Sequence, residues 1–257
     1  MKRTCIFFAI IVYSFSVWAQ HRQVAIANTQ NGDIQVGVVQ LWDNGPWFAE
    51  FNVGATNPSE IGGYFTWGGV VDRDTKTYAT NDHDIQGTEE DAATVCWGDE
   101  WMMPSSDEMQ GLLDNCDCSW LKTDETDSVG IIFKGKNQYD NDSVFFILTG
   151  LIGYGQKIFL IDEIGLYWTS TPGETTSEYG PGHHCLSFRK GNWAREPFID
   201  KHGAATEPIP VRAIYRGENF LSAHAPSATP SIPTKQIVNG RLFITTDGQT
   251  FDVLGRE

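Results

Sequence analysis

The run Trp97-Gly98-Asp99-Glu100-Trp101-Met102-Met103-Pro104, inside residues 88–118, is the one place in the chain where two helix signals flank a rigid connector. Before it, Thr88 with Asp91 three residues on has the form of an N-cap and its capping-box partner, and Ala92, Val95 and Cys96 then recur at helical spacing. After it, Pro104 cannot extend a preceding helix, Ser105 and Glu108 form a fuller capping box, and Met109, Leu112, Leu113 and Cys116 fall on one face. The run therefore predicts a helix, a turn braced by Trp97 and Trp101, and a second helix. Neither helix is long enough to be stable alone, so both must bury their apolar faces elsewhere. The rest of the chain has to supply a sheet.

Working outward, residues 20–33 are polar and unpatterned and read as a loose N-terminal arm. Residues 34–41 alternate as a half-buried strand should, residues 47–55 continue with a second strand, and residues 62–69 make a short aromatic strand bracketed by glycines. Residues 71–87 are acidic and without period, a surface loop. Past the second helix, β-type runs recur at 131–133, 144–148, 158–161, 167–170, 185–188 and 210–215. With the two helices they give an α+β class: helices packed on a small antiparallel sheet with long loops. The domain spans 34–217. Residues 218–235 are rich in Ala, Ser and Pro and read as a linker, and residues 236–257 read as a β-hairpin tail, too small to stand alone.

Nine Trp, fifteen Phe and eight Tyr in 257 residues are ample for a packed core. Residues 1–19 have the grammar of a secretory signal: Lys2 and Arg3, an apolar run, then Val17-Trp18-Ala19 before Gln20. Cleavage after Ala19 is expected, giving a secreted or cell-surface protein with no transmembrane segment in the mature chain. Cys5 lies inside the apolar run, not after it, which favours a released or otherwise anchored protein over a lipoprotein. The net charge of −15 falls to −17 without Lys2 and Arg3, which argues against nucleic acid and anionic lipid as partners. That acidity serves solubility, with cation binding as the alternative. The mature chain keeps Cys96, Cys116, Cys118 and Cys185. Cys116 and Cys118 are too close to pair easily, so Cys185 is the expected partner of a helix-side cysteine in any disulfide.

The words of the sequence also resemble a known family. Trp47-Phe48-Ala49, Asn52-Val53-Gly54-Ala55, Pro58, Glu60 and Gly63-Tyr64-Phe65-Thr66-Trp67-Gly68 resemble the opening of the Fibrobacter-type major paralogous domain. Asp91-Ala92-Ala93, Trp97-Gly98, Trp101, Met103-Pro104, Glu108, Tyr167-Trp168-Thr169-Ser170 and Val211-Arg212-Ala213-Ile214 resemble its centre and close, over about residues 38 to 216. The resemblance implies an exported bacterial protein with a C-type-lectin-like fold and a loop region as its ligand face. Met102 and Gly63 depart from the family pattern, where Arg and Asp are usual. The family carries no agreed enzymatic role, and fold does not dictate function.

Candidate chemistry is sparse. His183-His184-Cys185 is the densest metal-capable cluster, yet neighbours on a strand face opposite ways and cannot easily share an ion. Asp82-His83-Asp84 and Asp140-Asn141-Asp142 offer oxygens to Ca²⁺ without the spacing of an EF-hand loop, and Glu196-Pro197-Phe198 lacks the oxygen ligand a calcium-dependent lectin would carry there. No metal or cofactor is therefore assigned, with Ca²⁺ the one alternative. No Gly-x-Ser-x-Gly elbow occurs, and Asp127-Ser128 and Asp142-Ser143 have no histidine nearby in sequence. A binding face reads better: Tyr179, Asn192, Trp193 and Arg195 lie in glycine-rich surroundings, and an aromatic ring flanked by planar hydrogen-bonding groups suits a sugar face. Trp97, Trp101, Cys96 and Cys185 read as structural. The expectation is an exported, non-catalytic binding module for glycan or protein. A structural or adhesion subunit of a surface assembly is the alternative, and an enzyme on the same scaffold a second.

Overall fold

In the computed structural model Asp91, not Thr88, caps the first helix. The Asp91 carboxylate accepts from the backbone N–H groups of Ala93 and Thr94, and helix α1 is confined to Ala92–Trp97. The same carboxylate accepts from Gly87 N at 2.9 Å and Met103 N at 2.8 Å, so one buried side chain ties together the loop before α1, the helix and the connector after it. Gly98, in the left-handed half of backbone space at φ 102°, ends α1. Helix α2, Ser106–Asn115, carries the capping box of Ser105 and Glu108 and buries Met109 and Leu112.

The structure describes residues 21–80, 82–122, 128–153, 157–176, 180–221, 234–238, 241–246 and 249–252; the leader 1–19 lies outside them. The strands in chain order are β1 (Arg22–Thr29), β2 (Gly32–Val39), β3 (Trp47–Ala49), β4 (Trp101–Met102), β5 (Asp117–Lys122), β6 (Ser128–Lys134), β7 (Ser143–Ile147), β8 (Leu151–Ile152) and β9 (Ile158–Phe159). They continue with β10 (Ile164–Thr176), β11 (Gly180–Arg189), β12 (Arg195–Ala204), β13 (Ile214–Tyr215), β14 (Thr234–Val238), β15 (Arg241–Thr246) and β16 (Gln249–Asp252). Among the described residues they pair in five sheets, in the orders β1-β2-β3-β13-β4, β5-β6-β7, β8-β9, β10-β11-β12 and β14-β15-β16. All pairs are antiparallel.

This overturns the expected α+β, C-type-lectin-like class. The chain is β-rich, and the two helices are short attachments to several antiparallel sheets, not a layer packed on one small sheet. Three strands account for most of the difference. The expected arm contains β1, which pairs along its whole length with β2 from Arg22 opposite Val39 to Thr29 opposite Gly32. Strand β5 follows α2 directly, and β12 occupies a stretch read as ligand-bearing loop. The connector is also not a simple turn, since Trp101 and Met102 pair as β4 with Tyr215 and Ile214.

Two apolar clusters form the core. One gathers Trp67, Trp97, Trp101 and Trp168 with Ala25, Val36 and Val211. The other gathers Phe133, Phe146, Tyr167 and Phe188 with Met109, Leu112 and Ile214. Trp97 and Trp101 are buried edge to face, with ring centroids 4.9 Å apart. Cys96, Cys116, Cys118 and Cys185 are all free thiols, so Cys185 makes no bond to a helix-side cysteine. Burial raises the thiol pKa of Cys96 to about 11 and of Cys116 to about 12, which keeps both protonated and inert. Contacts divide the chain into two units, Met1–Phe220 and Leu221–Glu257. The second contains three strands where two were expected: Val238 pairs with Arg241 and Thr246 with Gln249.

Candidate functional site

Strands β10, β11 and β12 end together on one side of their sheet, where Ile164 pairs with Arg189 and Arg189 with Arg195. The β11–β12 connection there is a single 3-10 turn, Gly191–Trp193, closed by Ala194 N donating to Gly191 O at 3.0 Å. Gly191 takes φ +85°, which glycine adopts without steric cost. The turn is tied to the segment before β10: Lys190 N donates to Glu163 O at 2.9 Å, and Arg189 Nη2 donates to Glu163 Oε2 at 2.9 Å. Lys190 Nζ reaches Ser128 O at the start of β6. The turn that carries Trp193 is therefore closed by its own backbone bond and anchored at Arg189 and Lys190, just before it.

On this turn Trp193 is 76% exposed, and among the described residues no other Trp is an exposed large apolar residue. A tryptophan left in water gains nothing from the core and forgoes the roughly 2–3 kcal/mol its burial could contribute. Arg195 is exposed beside it, its guanidinium stacked over the Phe198 ring at 5.1 Å. The segment before β10 carries Phe159 at the end of β9 and Leu160 and Ile161 after it, all exposed. Leu160 sits at φ 54°, a conformation a bulky side chain adopts only under strain, and both Glu163 N and Ile164 N donate to its carbonyl.

Two of the four expected contact residues, Trp193 and Arg195, thus come together at one sheet end. The backbone of Asn192 lies in the same turn. Tyr179 lies outside the described residues. Residues 158–161 read as a strand in the sequence; only the Ile164–Arg189 register ties the segment that follows them, through Glu163, to the Trp193 turn.

The other clusters resolve differently. His183 is buried flat against Trp67, with ring centroids 3.6 Å apart and planes 10° apart, and meets Trp168 edge-on. Desolvation, aided by His184, pulls its pKa down to about 4, so it is a neutral imidazole at ordinary pH. Asp142, one of the acidic residues considered for Ca²⁺, is occupied by His21 Nδ1 and Arg22 Nε, each at 3.2 Å. Asp84 accepts from Gln86 N and from Thr171 Oγ1. Among the described residues no group of three or more His, Cys, Asp or Glu side chains converges as a metal site, and no helix is long and apolar enough to cross a membrane. No family model, no curated protein and no solved structure matches the chain.

Proposed function

We propose that this chain is an exported binding module that takes a glycan on the Trp193 end of the β10-β11-β12 sheet. One observation carries the reading: a tryptophan 76% exposed on a turn whose backbone is hydrogen-bonded in place. An apolar ring face presented on a bonded turn can stack on the C–H face of a pyranose with little ordering of the backbone. Arg195 and Glu196, both exposed at the start of β12, supply planar donors and acceptors for hydroxyl groups at its rim. The leader-like residues 1–19 and the strongly acidic composition support a secreted or cell-surface location.

A protein ligand is the second reading, favoured by the exposed row Phe159, Leu160 and Ile161, whose following segment is tied through Glu163 to the same turn. The two part in a glycan-array experiment on the full chain. A glycan ligand gives array signals that Trp193→Ala weakens about tenfold or more. Silence across the array, with Trp193→Ala as control, transfers the surface to a protein partner.

A further inference from the structure

A polar cleft of about 390 Å³ lies in a different part of the molecule, lined by His21, Gln40, Asp43, Gln138 and Tyr139. Two turns build it. Asp43 sits in the turn closed by Gly45 N donating to Trp42 O at 3.0 Å, and Gln138 and Tyr139 belong to the 3-10 turn Asn137–Tyr139. Each turn holds an asparagine in the left-handed region, Asn44 at φ 60° and Asn137 at φ 56°, a conformation asparagine tolerates better than most residues.

The walls are fixed by their own bonds. Asp43 Oδ1 accepts from Gln138 Nε2 at 2.8 Å and from Tyr139 Oη at 2.9 Å, and Gln40 Nε2 donates to Gly45 O at 2.7 Å. The His21 ring lies 4.0 Å from the Tyr139 ring, with Nδ1 3.2 Å from Asp142 Oδ2. These bonds leave over Asp43 Oδ2, the two carboxamide oxygens, one N–H on each carboxamide, and His21 Nε2.

That remainder selects a ligand class. An apolar ligand would strand every one of these groups without a partner. An anion would meet the Asp43 carboxylate, and a cation would find one carboxylate oxygen and two carboxamide oxygens, fewer than a hard cation needs and interleaved with N–H donors. A neutral ligand with adjacent hydroxyls, each both donor and acceptor, matches a wall that mixes acceptors with donors. The volume lies within the range of roughly 300–1,000 Å³ usual for ligand pockets. The geometry points to a second, independent ligand site for a neutral polyhydroxylated ring of the saccharide class, held by Asp43, Gln40 and Gln138.

The cleft adjoins the end of the β6–β7 ladder where Lys134 pairs with Ser143, since Arg22, next to His21, donates to Ser143 O at 2.9 Å. The Trp193 turn is tied to the opposite end of β6 by Lys190 Nζ on Ser128 O. The length of β6 therefore separates the two by about 20 Å, so each can be removed without the other.

Saturation-transfer difference NMR on the full chain tests this, with methyl pyranosides as probes. Transfer to the pyranosides is expected. Gln138→Ala, at an exposed position, and Asp43→Asn, which retains the Oδ1 acceptor but turns the open oxygen into a donor, should each weaken binding roughly tenfold. Both substitutions are read in a Trp193→Ala background, which removes the proposed glycan face, and transfer should persist in that background. Absence of transfer to any probe overturns the proposal, as does transfer that survives both substitutions. Loss of the signal in Trp193→Ala also overturns it, by assigning that signal to the tryptophan turn.

Discussion

Arg212 is wholly buried, and among the described residues no carboxylate hydrogen-bonds to its guanidinium. Its Nε donates to Asn52 Oδ1 at 2.8 Å, its Nη1 to Ala49 O and Glu50 O at 3.0 Å, and its guanidinium lies 4.7 Å from the centroid of the Phe146 ring. Burial lowers its pKa only to about 10, so the cation persists at neutral pH. Arg212→Ala would orphan three oxygens and open a cavity, at a cost of about 3 kcal/mol or more, read as a lower urea midpoint at unchanged slope. Arg212→Lys should recover only part, because an ammonium cannot reproduce the planar fork. His183 makes the opposite demand. Its folded pKa of about 4 lies below the unfolded value near 6.5, so the unfolded chain takes the proton first. Stability from this group is intact above about pH 6.5 and is lost progressively as pH falls towards 4. The melting temperature should therefore drop across that window, and His183→Phe should flatten the drop relative to the parent chain.

At the scale of elements, α1 depends on Asp91. A six-residue helix has almost no stability of its own, and this one has four backbone N–H groups from both sides of the connector converging on one carboxylate. Asp91→Ala should speed amide hydrogen exchange at Gly87, Ala93, Thr94 and Met103 together, whereas Ser105→Ala should cost only about 1 kcal/mol and act on the first turn of α2. The Ser105–Glu108 box was legible in the sequence because both partners are three residues apart. Asp91 was misread as a box partner because its deciding donors, Gly87 and Met103, arrive through the fold. Strand β1 was illegible for a different reason: the side chains it buries are Ala25 and Ala27, small residues that give little strand signal. In β12, Arg195-Glu196-Pro197 opens a strand with no apolar alternation. Trp193 stood out in the sequence as a chemical type, yet its exposure and its tie to the segment before β10 follow from strand register, which no local pattern records.

At the scale of the molecule, Met1–Phe220 forms a compact unit by its own contacts. A chain ending after Phe220 should keep its melting temperature and any binding at Trp193, and a large loss of either would show that residues 221–257 belong to the folding unit. Under the proposed function, Trp193 is exposed for a ligand and not for the fold. The direct test is titration calorimetry of a glycan selected on the array, against the parent chain and Trp193→Ala, with melting temperatures measured on the same samples. The account predicts that the substitution removes the binding heat while changing stability by no more than about 0.5 kcal/mol, as for an ordinary surface position. Undiminished binding by Trp193→Ala, or a chain that melts far lower, would contradict it.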